Sequence, residues 1–214
     1  VNPAMFARMP FDPQKDLQPV GLLANCQLFM LVPPTFPGNT FDDFLAYARA
    51  RPDKLSYGSA GVGTTPHLAG ELLKQSAGIS AAHIPYKGAA PAIADVMASQ
   101  IDFVFSAGML PSVKTGNLKV LAVASRQRSS VAPNVQTFDE FGVKDVYADT
   151  LFGIYAPHGV PASVVDRMNQ EINKLLLQPA TKARFAELGA EAMVMTPSAY
   201  KAAVQAEAKL FTAI

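Results

Sequence analysis

The sequence predicts an α/β fold in which helices cover a mostly parallel sheet. Short apolar strand patterns alternate with amphipathic helical patterns between residues 28 and 155, as in chains built from βαβ units. With 50% hydrophobic residues in a chain of 214, a substantial core is expected. A glycine-rich loop at 58–65 joins a strand pattern to a helical pattern, which is typical of the edge where open sheets of this class bind ligands.

The strand and helix patterns follow one another in a regular order. The predicted strands are 28–32, 55–58, 82–84, 101–105, 118–124 and 151–155. The predicted helices between them are 41–51, 66–77, 89–99 and a short helix at 109–114. From residue 161 onward the pattern is helical, and it predicts helices at 164–176, at 180–188 and from 196 to the end of the sequence.

Composition and charge narrow the classes of partner. The chain has 18 basic and 17 acidic residues, a formal net charge of +1 and no basic run, so neither nucleic acid nor an acidic membrane surface is indicated. Cys26 is the only cysteine, which excludes an internal disulfide and a thiolate metal cluster. The longest apolar runs, such as 118–124, are far too short to span a bilayer. Small molecules are therefore the predicted partners.

The loop between the second predicted strand and its helix has the features of an anion-binding loop. Glycines occupy positions 58, 61 and 63, and Pro66 suits the first turn of the helix that follows. A helix N-terminus offers unpaired backbone N–H groups and the positive end of the helix dipole, which fit a carboxylate or a phosphate. The glycine spacing matches neither G-x-G-x-x-G nor a P-loop, so nucleotide binding is disfavoured.

A second loop, at 85–88, follows the next predicted strand. In a parallel sheet it lies at the same edge as the first loop, so the two loops are expected to converge on one ligand. The alternative is that the glycines serve a tight turn and that Thr64 or Thr65 caps the helix, which would contribute about 1 kcal/mol to stability.

Individual side chains also have two interpretations each. His67, in the first turn of the helix, either contacts the ligand or makes a local hydrogen bond. Lys87 either neutralises an acidic solute or stays solvated. The three histidines are scattered without carboxylate or thiolate neighbours, so no metal site is predicted. Ser59 does not lie in a G-x-S-x-G motif, and neither catalysis nor a cofactor is indicated.

Five segments of the chain, taken together and in order, resemble one known family. They read NPAMFARMPFDPQKDLQPVGLL (2–23), KLSYGSAGVGTTPHLAGELL (54–73), HIPYKGAAPAIADVMASQIDFVF (83–105), GNLKVLAVAS (116–125) and FGIYAPHGVP (152–161). These segments are similar to the Bug family, also called TctC-type proteins, which are the extracytoplasmic solute-binding proteins of tripartite tricarboxylate transporters. The resemblance covers nearly the whole chain.

The resemblance implies a type II periplasmic binding-protein fold, with two α/β lobes whose sheets are mostly parallel. Residues 33–149 would form a complete lobe two, and residues 1–32 and 150–214 would form what is present of lobe one, without its N-terminal part. Strands at about 28–32 and 151–156 would act as hinges. A small carboxylate solute would bind in the cleft between the lobes and pass to the membrane permease, in the periplasm. The signal peptide would not be in this chain.

The resemblance also implies which residues bind the solute, mostly through backbone amides and hydroxyls. These residues lie in the two loops or beside them, and they are Ser59, Ala60, Gly61, Gly63, Thr64, Thr65, His67, Tyr86, Lys87, Gly88 and Ala89. Family members commonly carry an acidic or amide residue after the strand at 101–105, where this chain has Ser106 and Ala107. A different choice of solute is expected from that change.

Two other functions stay open at this point. A ligand-sensing protein, either the effector domain of a transcription regulator or the partner of a sensor kinase, shares the two-lobed architecture. An α/β enzyme would have to turn over the bound acid. The sequence does not name the solute or the oligomeric state.

Overall fold

Residues 10–108 and 110–212 are described in the computed structural model of the chain. They divide into two compact units, unit 1 with Val1–Cys26 and Thr150–Ile214, and unit 2 with Gln27–Asp149. In chain order the elements are β1 (Leu17–Cys26), β2 (Phe29–Val32), α1 (Phe41–Arg49), β3 (Leu55–Ser59), α2 (Thr65–Ala77), β4 (Ala81–Pro85), α3 (Ala89–Met97), β5 (Phe103–Ser106), α4 (Leu110–Lys114), β6 (Lys119–Val123), a 3₁₀ helix (Asp139–Phe141), β7 (Thr150–Pro157), α5 (Ala162–Leu176), α6 (Pro179–Glu187), β8 (Glu191–Ala192) and α7 (Pro197–Thr212).

Unit 2 contains a five-stranded sheet in the order β4-β3-β5-β2-β6. Strand β3 pairs in parallel with β4 and β5, whereas β2 runs antiparallel to β5 and β6. The carboxyl ends of β3, β4, β5 and β6 therefore lie at the same edge of the sheet, together with the start of β2.

The core of unit 2 lies on both faces of this sheet. In β2, the side chains of Met30 and Val32 belong to one apolar cluster and those of Phe29 and Leu31 to the other, and all four are buried. A central strand buried on both faces is expected to be apolar throughout, as this one is. Burying each such side chain contributes about 1.5–3 kcal/mol relative to leaving it exposed.

Helix α1 begins at a capping box. The Thr40 side chain accepts a hydrogen bond from the backbone N–H of Asp43, and the Asp43 carboxylate accepts one from the backbone N–H of Thr40. The two residues satisfy N–H groups that have no partner within the helix. The apolar face of α1 then buries Phe41 and Phe44 against the sheet.

Helix α2 packs very closely on β3. A Cβ atom on Gly70 would lie 2.1 Å from Cε2 of Tyr57, a ring that is fully buried. The absence of a side chain at Gly70 allows this approach. Helix α2 ends at Gly78, whose φ of 61° is in the left-handed region that favours glycine.

Unit 1 contains an antiparallel sheet in the order β7-β1-β8. The long strand β1 pairs with β7 from Leu17 opposite Pro157 to Cys26 opposite Thr150. The Asn169 side chain, on α5, donates to the backbone carbonyls of Val20 and Met195, which links the helix to β1 and to the segment before α7.

The strand β1 is missing from the sequence prediction. Pro19 and Gly21 interrupt the apolar pattern there, and the register of the β1 and β7 pair shifts between these two residues. Both residue types weaken a strand pattern and are tolerated at such irregularities. The prediction named mostly parallel sheets, but the sheet of unit 2 is mixed, with two parallel and two antiparallel strand pairs, and the described sheet of unit 1 is antiparallel.

The other predicted elements are present, with shifted ends. Strand β5 begins at Phe103 rather than at 101, and the Asp102 carboxylate before it accepts hydrogen bonds from the backbone and side chain of Ser56. Helix α4 begins at Leu110, and the predicted first residue, Met109, lies outside the described residues. None of the helices in the described ranges combines the length and apolarity needed to cross a membrane.

Candidate anion-binding site

The loops that follow β3 and β4 meet at the carboxyl edge of the unit 2 sheet. Ser59 and Pro85 are paired at the ends of the two parallel strands. The backbone N–H of Tyr86 then donates to the carbonyl of Ser59 over 3.0 Å, and a Cβ atom on Gly61 would lie 3.5 Å from the carbonyl oxygen of Tyr86. The two loops that the sequence analysis singles out are thus in direct contact.

The N-terminus of α2 opens onto this edge without a side-chain cap. The Thr64 hydroxyl donates over 2.7 Å to the carbonyl of Gly61 instead of accepting from the helix. Within the described residues, the backbone N–H groups of Val62, Thr65 and His67 have no hydrogen-bond partner. Thr64 therefore closes a turn with Gly61 through its backbone N–H and does not cap α2 with its side chain.

The N-terminus of α3 is also uncapped. Gly88 precedes the helix with φ at 117°, in the left-handed region, and no side chain hydrogen-bonds to the first turn. Ala89 and Ala90 follow it and are exposed. Neither α2 nor α3 carries an acidic residue in its first turn, so the positive ends of two helix dipoles are left uncompensated by local carboxylates.

Strand β5 brings Ser106 and Ala107 to the same edge, because Val104 is paired with Gly58 of β3. Ser106 is buried, and its hydroxyl donates to the carbonyl of Ala107 over 3.1 Å. Neither residue carries a charge to this part of the edge.

The side chains of the second loop point in different directions. The Tyr86 hydroxyl donates to the Asp95 carboxylate over 2.6 Å, so the ring is held against α3. Partial burial and this hydrogen bond raise the pKa of Tyr86 to about 12. Lys87 is exposed. Both the phenol and the backbone N–H of Tyr86 are thus hydrogen-bonded within the protein.

Behind the first loop lies a pair of histidines that the sequence analysis treats as separate residues. The ring centroids of His67 and His83 are 4.1 Å apart. Nδ1 of His67 accepts from the backbone N–H of Gly63 over 3.2 Å. Nε2 of His83 lies 2.7 Å from Oγ of Ser59, which in turn accepts from the backbone N–H of Gly61 over 3.1 Å. The local hydrogen-bonding interpretation of His67 therefore describes its ring.

Polar groups of α2 and β3 surround this histidine pair. The Tyr57 hydroxyl donates to the Glu71 carboxylate over 2.6 Å, and the Lys74 ammonium donates to both oxygens of the same carboxylate over 2.9 Å. Burial lowers the pKa of His83 to about 4, with a further lowering from His67. Burial also lowers the pKa of His67. Both rings are neutral at pH 7.

The described residues contain no group of three or more His, Cys, Asp or Glu side chains placed to hold a metal ion. Unit 1 has a groove of about 770 Å³, whose lining includes both basic and acidic residues, Lys15, Lys201, Asp16 and Asp166. It lies in a different unit from the edge described above.

A family model described as "Tripartite tricarboxylate transporter family receptor", or TctC, matches residues 1–214. The chain belongs to this family. The resemblance stated from the sequence is confirmed, and the family description is that of a transporter receptor, in agreement with the prediction that the chain is not an enzyme.

Curated relatives of this TctC-family chain come from several bacteria. It is 33% identical over 192 residues to a UPF0065 protein encoded in the tcbD-tcbE intergenic region of Pseudomonas sp. strain P51, covering 88% of this chain and 57% of that protein. It is 29% identical over 199 residues to protein BugT of Bordetella pertussis, covering 92% of this chain and 61% of BugT. The chain thus spans about three fifths of the length of these relatives.

Solved structures with the same fold include two from Rhodopseudomonas palustris. One, solved with adipate, is 29% identical with a TM-score of 0.86, covering 94% of this chain and 68% of that one. The other, MatC with bound malate, is 26% identical with a TM-score of 0.81, covering 95% and 71% respectively. The α/β periplasmic binding-protein fold predicted from the sequence is confirmed by these likenesses.

Proposed function

We propose that this TctC-family chain is part of a solute-binding receptor that holds the carboxylate of a small organic acid at the carboxyl edge of the unit 2 sheet. The observation that carries the proposal is the contact between the two loops, through the backbones of Ser59 and Tyr86, because each loop leads into a helix, α2 or α3, whose N-terminus has no side-chain cap. Free N–H groups and two helix dipoles favour an anion there.

The strength of such a site follows from its donors. Each hydrogen bond from a backbone N–H to a carboxylate contributes about 1.5–3 kcal/mol net. Three or four of them reach roughly micromolar affinity once the entropic cost of association is subtracted. The donors that support this estimate are the backbone N–H groups of Val62 in the first loop, Thr65 and His67 in the first turn of α2, and Ala89 at the start of α3.

A carboxylate fits this edge better than a phosphate. The loops lack P-loop spacing, and Lys87 is the only basic residue within them. The likeness to proteins solved with adipate and with malate supports a carboxylic acid, and the uncharged pair Ser106 and Ala107 supports a solute whose remaining groups need no ionic partner there.

The remaining parts of the proposal come from the family. The solute binds between two lobes that close by a hinge, and the closed receptor delivers it to the membrane permease of a tripartite tricarboxylate transporter from the periplasm. Family membership supports the transport role rather than that of a ligand-sensing protein, and no feature of the described residues favours the sensing role.

Calorimetric titration of the full-length gene product tests the proposal. Adipate and malate are compared with their methyl esters, which lack the charge, and we expect binding of at least one acid and no binding of its ester. Gly61→Ala and Gly88→Ala strain backbones with φ at 132° and 117° and should weaken binding at least tenfold.

Gly116→Ala is the matched control, because Gly116 also has a positive φ, 76°, with open space around it, and lies in the turn before β6, away from the carboxyl edge. Its affinity should match that of the wild type. Equal affinities in all three variants would remove the two loops from the site.

A further inference from the structure

We propose that His67 and His83 are positioning residues for the anion loop, which hold two glycine N–H groups away from the ligand and make the affinity for an anion depend on pH. This inference rests on the proposed function, because the loop they hold is the one that would bind the carboxylate. It extends that function with a form of regulation.

His67 acts on the loop directly. Its Nδ1 atom accepts from the backbone N–H of Gly63 over 3.2 Å, which fixes the tautomer, since an acceptor nitrogen carries no proton. The backbone N–H of the same residue belongs to the first turn of α2 and has no partner within the described residues. The ring of His67 therefore holds the loop in place through Gly63, and the backbone N–H of His67 is the group that would donate to the anion.

His83 acts through Ser59. Ser59 is buried, with 1% of the residue exposed, and its hydroxyl is engaged within the protein. It lies 2.7 Å from Nε2 of His83, accepts from the N–H of Gly61 and also contacts the carbonyl of Gly61 over 3.0 Å. Strand β4 thus sets the position of the loop through a single side chain.

Burial keeps both rings neutral, and the neighbouring charges act on them in opposite directions. Helix α2 contributes Glu71, which favours a protonated ring, and Lys74, which opposes one. Strand β3 contributes Tyr57, whose ring stacks on His83 with centroids 4.9 Å apart and whose hydroxyl engages Glu71. Burial is the largest effect on both histidines, and it lowers the pKa of each.

Protonation undoes the arrangement. An imidazolium has donors at both nitrogens and no acceptor, so the N–H of Gly63 loses its partner and faces another N–H. Since burial holds the pKa of His67 below its ordinary value of 6.5, its Nδ1 atom accepts from Gly63 at pH 7, and this hydrogen bond is lost as the pH falls through the lowered pKa of His67. The positive charge gained attracts an anion, but it does not restore the lost geometry, and we expect affinity to fall.

Matched substitutions separate the hydrogen bond from the ring. In His67→Asn the amide oxygen lies near the position of Nδ1, whereas in His67→Gln the amide reaches the position of Nε2. His83 contacts Ser59 through Nε2 rather than Nδ1, so for this residue the glutamine variant, His83→Gln, replaces the contacting group and His83→Asn does not. Affinity for adipate, measured by calorimetry on the full-length gene product at pH 7, should fall roughly 5- to 10-fold in His67→Gln and His83→Asn. It should stay within about twofold of the wild type in His67→Asn and His83→Gln.

The pH dependence is measured against the double variant His67→Asn with His83→Gln. Protonation of adipate itself weakens binding equally in both proteins, so the ratio of their affinities isolates the histidines. We expect the wild type to lose affinity relative to the double variant between pH 7 and pH 5. A constant ratio, or a relative gain in the wild type, would overturn the proposal.

A second readout needs no ligand. In amide NMR spectra, the Gly63 N–H should exchange with solvent faster in His67→Gln than in the wild type or His67→Asn, and the Gly61 N–H faster in His83→Asn than in His83→Gln. If no carboxylate binds, the proposed function fails and these exchange rates still decide the role of the histidines. If adipate binds but all variants exchange alike, the positioning role is wrong and the proposed function stands.

Discussion

The contact of Tyr57 with Gly70 shows at the residue scale how the candidate anion-binding site depends on the core. Tyr57 is fully buried, stacks on Phe103 and His83, and fits beneath α2 only because Gly70 has no side chain. The N-terminus of α2 carries half of the candidate site. Any change that lifts this helix from β3 therefore moves the donors as well as weakening the core.

Gly70→Ala is expected to destabilise the protein by about 1–3 kcal/mol, although alanine favours helix more than glycine does. The reason is that the new Cβ would lie 2.1 Å from the Tyr57 ring, which has no free space into which to move. Urea unfolding measures the change in the free energy of unfolding. Ser76→Ala, at an exposed position of the same helix, is the control and should change stability by less than about 0.5 kcal/mol. A stabilised Gly70→Ala variant would contradict the close packing.

At the scale of elements, local sequence signals decide where the helices begin. The capping box of α1 can be read from Thr40 and Asp43, three residues apart, just before an apolar face. The α2 and α3 starts are different, since each has a proline in its first turn but no capping side chain. The contrast separates a helix start that is stabilised by its own cap from two starts that have no side-chain cap and belong to the proposed site.

Thr40→Ala should destabilise the protein by about 1 kcal/mol, because it leaves the Asp43 N–H of the first turn without an acceptor. Thermal or urea unfolding checks this value. In the neighbouring control Asn39→Ala, the backbone N–H that donates to Asp43 is kept, and stability should be nearly unchanged. An equal effect of both substitutions would show that the capping box is not what stabilises the helix start.

Most elements could be predicted because their patterns are local, whereas the histidine pair could not. Nothing in the sequence shows that His83 faces the same side of the sheet as Tyr57 and meets His67 from the next helix, because this depends on the parallel register of β3 and β4. Strand β1 was missed for a related reason. Its pairing with β7, more than a hundred residues away, tolerates Pro19 and Gly21 at register shifts that a local pattern does not reveal.

At the scale of the whole molecule, the boundary of unit 2 depends on β2. The sequence prediction assigned residues 28–32 to a hinge and began lobe two at residue 33. In the structure β2 lies between β5 and β6, with all four of its residues buried, and unit 2 begins at Gln27. The two ends of the unit are also joined, because the Gln27 amide donates to the Ser125 hydroxyl, which donates to the Asp149 carboxylate.

Unit 2 has its own core and ends that meet, so residues 27–149 are expected to fold alone with a cooperative urea transition. The control is the shorter fragment 33–149, which keeps every helix of the unit but lacks β2. Removing this strand exposes β5 and β6 to water along their inner edges and deletes four buried side chains, a loss of about 1.5–3 kcal/mol each. That loss is comparable to the total stability of a typical domain, so the shorter fragment should be unfolded. Circular dichroism and amide NMR dispersion distinguish the two outcomes, and a folded 33–149 fragment would mean that β2 belongs to a hinge rather than to the core of unit 2.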